Sequence, residues 1–127
     1  MIAREGREHG LQVMLTHPGD IPQLPEAAKL GAFIEVNASG IYPNAAGARG
    51  AAALIRKIGA ESLVMGTDCG QMRTPYPTDC LVLAVRRLRA QGITDRELKL
   101  MMKDNPAKLL GLVPFEMTQP RPFRNNR

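Results

Sequence analysis

Two residues of this chain combine reactive side chains with informative positions. His17 follows the apolar run Leu11-Gln12-Val13-Met14-Leu15-Thr16, and Asp68 follows Ser62-Leu63-Val64-Met65-Gly66-Thr67. An imidazole at a strand end can ligate a metal through its neutral ring or act as a general base. A carboxylate at such an end can ligate a metal or take a proton from a bound water. Each residue also has a purely structural reading. A histidine at a strand-to-loop turn can be satisfied by a backbone carbonyl, and an aspartate there can cap the loop by accepting from backbone N–H groups. Between them Asn37-Ala38-Ser39 closes a third run, Ala32-Phe33-Ile34-Glu35-Val36-Asn37. Ligands of parallel α/β sheets bind beyond the carboxyl ends of the strands, so three polar exits in succession point to one site.

Other residue types are less specific. Glu35 is a charge inside an apolar strand, which either faces a barrel-like interior with a partner or lies at an exposed edge. Cys69, beside Asp68, is a soft ligand by type but more commonly a buried free thiol. Asp20 reads as loop and His9 as an exposed position on the first helix. The glycines from Gly40 to Gly50 lack the lysine and hydroxyl of a phosphate loop, and no GxGxxG follows a strand. The seven methionines read as core filler.

These positions require elements to hold them, and the chain alternates short apolar runs with amphipathic stretches. Near-continuous hydrophobic strands belong to parallel sheets covered on both faces. Residues 2–9 read as the end of a helix stopped by Gly10, and residues 25–30 as a short helix with Pro25 in its first turn. Residues 45–58 form a longer helix, capped by Asn44, with Leu54, Ile55 and Ile58 on its buried stripe and Gly59 as its stop. Residues 78–91 form another, with Leu81, Val82, Val85 and Leu88 at helical spacing. Thr94-Asp95-Arg96-Glu97 is a capping box opening a helix to about Lys103. Asn105-Pro106 then breaks the chain before a last short helix. The order defines an α/β fold of three consecutive βα units with parallel strands, followed by C-terminal helices.

Length and composition bound the function. The 127 residues suffice for one domain, expected over residues 1–112, with 113–127 as an extended or disordered basic tail rich in Pro and Arg. They are too few for a complete eight-unit barrel, which takes about 200 or more. The net charge of +5 comes with three Phe, two Tyr and no Trp, which argues against nucleic-acid binding. No apolar stretch is long enough to span a membrane. Met1-Ile2-Ala3 runs directly into Arg4, Glu5, Arg7 and Glu8, so no secretory leader is expected. Cys69 and Cys80 form neither a disulfide framework nor a CxxC pair, and a reducing cytoplasmic setting is expected.

Val13-Met14-Leu15-Thr16-His17-Pro18, a further strand, and Ala60-Glu61-Ser62-Leu63-Val64-Met65-Gly66-Thr67-Asp68-Cys69-Gly70 stand in an order that resembles the last strands of the amidohydrolase superfamily. Asn105-Pro106-Ala107-Lys108-Leu109-Leu110-Gly111-Leu112, behind Ile93-Thr94-Asp95-Arg96-Glu97-Leu98, looks like its C-terminal helix. The resemblance runs from about residue 8 to residue 112 and is to an uncharacterised amidohydrolase-like branch. It implies a metal-dependent (β/α)8 barrel that activates water for hydrolysis of a small molecule, with a divalent metal such as zinc or manganese. Asp68 matches the aspartate that ends the last strand and handles the proton of the attacking water. His17 matches the histidine that ends strand six, and residues 32–37 match strand seven.

The chain also departs from that pattern. The family's first strand ends in His-x-His, whereas His9 and His17 are the only histidines here. The mid-barrel lysine or glutamate and the strand-five histidine have no counterpart either. His17 and Asp68 supply two metal ligands where a stable site takes about three or more. The expectation is therefore the last three-eighths of a barrel, inactive alone, with Met1 an internal start inside the helix before strand six. The alternative expectation is a non-catalytic module that binds a ligand or partner and self-associates through open sheet edges.

Overall fold

The longest helices form where local signals agree with tertiary packing. In the computed structural model, which describes residues 2–19 and 21–112, α4 spans Ala45–Ile58. Asn44 Oδ1 accepts the Gly47 N–H at 2.9 Å, satisfying one of the donors that every helix start leaves unpaired. Gly59 ends the helix with φ 93°, a left-handed backbone that only glycine adopts cheaply, and its N–H reaches Ile55 O at 2.8 Å. The buried stripe is Ala48, Ala52 and Ile55, with Leu54 and Ile58 half-buried beside it.

Ahead of α4 come α1 (Ile2–Glu8), β1 (Met14–Leu15), α2 (Leu24–Lys29), β2 (Phe33–Asn37) and α3 (Ala38–Ile41). After it, a 3₁₀ turn (Ala60–Ser62) leads into β3 (Leu63–Gly66). Then follow α5 (Pro77–Ala90) and α6 (Asp95–Lys99), and a π turn (Leu100–Asp104) runs into α7 (Asn105–Leu109). The three strands form one open parallel sheet in the order β1-β2-β3. Met14 pairs with Phe33, and Ile34 through Asn37 pair with Leu63 through Gly66.

The sheet has two unlike faces. Ile34, Val36, Leu63 and Met65 point into the main core, against Ala52 and Ile55 of α4 and Cys80, Ala84 and Leu88 of α5. Fully buried residues such as Ile55 and Leu88 each stabilise the fold by about 1.5–3 kcal/mol. Because strand side chains alternate, Phe33, Glu35 and Asn37 take the opposite face, together with Val64 and Gly66. Phe33 is buried there, with the Lys108 ammonium 5.9 Å from its ring centre.

Several expectations change. The run 11–16 pairs over Met14 and Leu15 alone: β2 offers its first paired residue at Phe33, the chain turns into a left-handed backbone at His17, and Leu11 is left 65% exposed. On α5, Leu88 is fully buried as expected and Leu81 and Val85 pack half-buried against the core, but the centre of the stripe is Cys80, Ala84 and Leu88, and Val82 is half-exposed. The chain does not break at Asn105-Pro106. Asn105 is helical (φ −69°, ψ −43°), and its N–H donates to Leu100 O, five residues back. Pro106 has no N–H to give, and a wide turn is how the helix passes over the missing donor. His9 is exposed, just beyond α1.

Cys69 and Cys80 are joined by a disulfide, which corrects the reading of both as free thiols. The bond ties the loop after Asp68 to the first turn of α5, and it removes the free-thiol argument for a reducing compartment. The loop expected at Asp20 and the tail expected at 113–127 lie outside the described residues. Among those described, no helix is long and apolar enough to cross a membrane.

Candidate functional site

The site is built where β1, β2 and β3 end. Among the described residues, His17 (φ 46°) and Asp68 (φ 47°) are the only non-glycine residues with a left-handed backbone. For an L-residue that conformation costs roughly 1–2 kcal/mol, less for aspartate, whose short side chain tolerates it. Strain of this kind persists where surrounding structure holds it, and it gathers at functional sites. Here it falls on the two residues whose chemistry and position already singled them out. His17 Nε2 and Asp68 Oδ1 stand 3.9 Å apart, with side-chain exposures of 62% and 35%.

The middle strand organises both. Glu35 Oε2 accepts the backbone N–H of His17 at 3.3 Å, holding the left-handed turn in place. Glu35 thus has a partner, on the sheet face opposite the main core. Gly66 makes room for this carboxylate: a Cβ there would collide with Glu35 Oε1 and come within 3.3 Å of Asn37 Oδ1. Asn37 Nδ2 lies 3.2 Å from His17 Nδ1. Asn37 also precedes α3 as its N-cap residue but makes no side-chain cap. Its Oδ1 is buried without a hydrogen-bond partner, a cost of about 1–3 kcal/mol for a polar atom.

Ser39, in the first turn of α3, donates from Oγ to Asp68 Oδ2 at 3.0 Å, and its backbone N–H reaches Thr67 O at 3.0 Å. One Asp68 oxygen is therefore held by a hydroxyl while the other faces His17. The loop beyond is capped by a different residue. Thr74 Oγ1 accepts the N–H groups of Gly70 and Gln71, each at 3.0 Å. Asp68 is thus not spent on capping its own loop, and the His17 Nδ1 contact is to a side-chain amide rather than a backbone carbonyl.

An open cavity of about 410 Å³ adjoins the site, lined by His17, Glu35, Asn37, Gly40 and Ile41 among others. That is within the size range of small-molecule clefts. Asp68 is not among its lining residues.

The structure thus gathers His17, Glu35, Asn37, Ser39 and Asp68 at one end of the sheet. Asn37 and Ser39 were visible in the sequence only as a polar strand exit, and their pairing with His17 and Asp68 was not. Cys69 lies beside the site but is bonded to Cys80 and has no thiolate to offer as a ligand. Among the described residues, no three His, Cys, Asp or Glu side chains are grouped so as to hold a metal ion. None of the known protein families matches the chain, and neither a curated protein nor a solved structure does.

Proposed function

We propose that this chain supplies the C-terminal three βα units of a metal-dependent, amidohydrolase-like hydrolase, three-eighths of a (β/α)8 barrel. His17 and Asp68 would be part of its metal centre. The observation that carries this reading is the pair of strained strand ends that bring His17 Nε2 and Asp68 Oδ1 to 3.9 Å beyond a parallel sheet. A bound zinc or manganese ion would polarise a water for attack on a small-molecule substrate. Two donors fall short of the three or more such an ion takes, so no catalytic step is derived through it. The chain's own part is narrower. Asp68, with Oδ2 held by Ser39, keeps Oδ1 free to accept a proton, and His17 is fixed beside it by Glu35 and Asn37. The remaining ligands would come from other residues, in this protein or another chain, and these 127 alone are expected to show little or no hydrolase activity.

A second reading has its own observation. β1 is a two-residue edge strand beside an apolar recess of about 280 Å³ lined by Ile2, Leu15, Ile21 and Leu30, among others, which suits a non-catalytic module that self-associates. One set of samples separates the two. Titration with Mn²⁺ is expected to broaden amide resonances of residues 16–17 and 67–69 selectively, and His17→Ala is expected to abolish this. Broadening elsewhere or nowhere would sink the hydrolase reading. A metal-indifferent dimer in light scattering would favour the second. Stoichiometric zinc or manganese retained by the purified chain, and lost in His17→Ala, would show that the ligand set is not short.

A further inference from the structure

The orphaned oxygen of Asn37 bears on which nitrogen of His17 is free. The two ends of a side-chain amide have the same shape, so their assignment follows from their partners. With Nδ2 turned to His17, the imidazole must accept at Nδ1 and carry its proton on Nε2, facing Asp68. This leaves Asn37 Oδ1 buried and unpaired, on the side where Glu35 Oε1 also crowds the gap above Gly66. Both acceptor oxygens border the space that a Gly66 side chain would fill.

We infer that Asn37 holds the opposite orientation and acts as a positioning residue for His17. Its Oδ1 accepts the Nδ1–H of the imidazole, and its NH₂ occupies the buried position beside the Glu35 carboxylate. His17 then presents an unprotonated Nε2 toward Asp68. The competing term is weaker: the 3.9 Å gap between Nε2 and Asp68 lies beyond hydrogen-bond reach and is open to water, whereas Asn37 Oδ1 is sealed from it. A carboxylate, an amide and an imidazole, on β2 and the turn after β1, thus form one relay that fixes the tautomer. That a metal or an acidic proton is what Nε2 receives rests on the hydrolase reading; the relay itself does not.

The test needs no metal. In the ¹⁵N-labelled full chain at about pH 8.5, two units above the ordinary imidazole pKa, long-range ¹H–¹⁵N correlations report which ring nitrogen carries hydrogen. His9 is the only other histidine, and His9→Gln removes its signals. His17 is expected to favour Nδ1–H by about fivefold, the ratio set by one net hydrogen bond of about 1 kcal/mol. Asn37→Asp, an acceptor only, is expected to keep this tautomer, and Asn37→Ala to lose the excess. Predominant Nε2–H in the unmodified chain would overturn the inference whatever the variants do, as would an unchanged ratio in a folded Asn37→Ala. The expected tautomer in a chain that binds no Mn²⁺ would instead count against the hydrolase reading alone.

Discussion

Asn105 offers the most direct check on how the foot of β3 is held. It is the only polar residue buried among those described, 5% exposed. Its Nδ2 donates to Ala60 O at 2.8 Å and to Leu63 O at 2.6 Å, clamping the 3₁₀ turn to the start of the strand that ends near Asp68. Asn105→Ala removes both bonds and leaves two carbonyls in a region where Ala60 and Leu63 are themselves buried. A net hydrogen bond is worth about 1 kcal/mol, and a stranded buried acceptor costs about 1–3 kcal/mol. The expected loss is therefore about 2–4 kcal/mol, a large part of the roughly 5–15 kcal/mol that holds a domain of this size together. Urea unfolding followed by circular dichroism reads it directly. With a slope of about 1–3 kcal/mol per molar urea, the midpoint should fall by roughly 0.7–4 M. Asn105→Asp should do at least as much harm, because it turns a carboxylate toward two carbonyl oxygens. A midpoint shift for Asn105→Ala worth less than about 0.5 kcal/mol, the range of ordinary surface substitutions, would refute the clamp.

Two further outcomes follow from the site and from α6. At φ 46° a side chain is strained and glycine is not, so His17→Gly should be more stable than His17→Ala by about 1 kcal/mol in thermal or urea unfolding, although both remove the same imidazole. Equal stabilities would mean that the turn after β1 relaxes once the ring is gone. Glu97 is held below its ordinary value of 4.5, first by the Thr94 hydroxyl and then by the Thr94 N–H, both of which bond its carboxylate. A carboxyl lowered on folding stabilises the native state above its unfolded pKa, and that contribution fades as pH falls through the folded one. Glu97→Gln should therefore flatten the pH dependence of stability below about 4.5, with little change in slope at neutral pH. An unaltered acid limb in the variant would remove the capping box from that role.

Much of the framework is legible because it depends on local chemistry. Asn44 and Gly59 bracket α4 through hydrogen bonds within three or four residues of each cap, and Thr94 and Glu97 do the same at the start of α6. What was not legible depends on distance or on a partner. The apolar run 11–16 looks like a full strand, but its paired length is set by where β2 begins and by the turn at His17. α3 is hidden in Ala38-Ser39-Gly40-Ile41, a single turn too short for helical periodicity to show. The disulfide joins residues 11 apart in sequence, and nothing in their spacing shows that α5 folds back to bring Cys80 against Cys69. Within the site, His17 and Asp68 could be picked out by type and position. Their supports could not: Asn37 is 20 residues from His17, and Ser39 is 29 from Asp68.

The π turn at Leu100–Asp104 carries one more residue than an α-helical turn would. Each helical residue advances the chain by about 100° around the axis, so this surplus sets the angular phase of everything after it. Asn105 faces Ala60 and Leu63 only in that phase. Deleting a single residue between Leu100 and Asp104 would swing the amide about 100° away from both carbonyls and carry Lys108 off the Phe33 ring, with no change in the composition of the last helix.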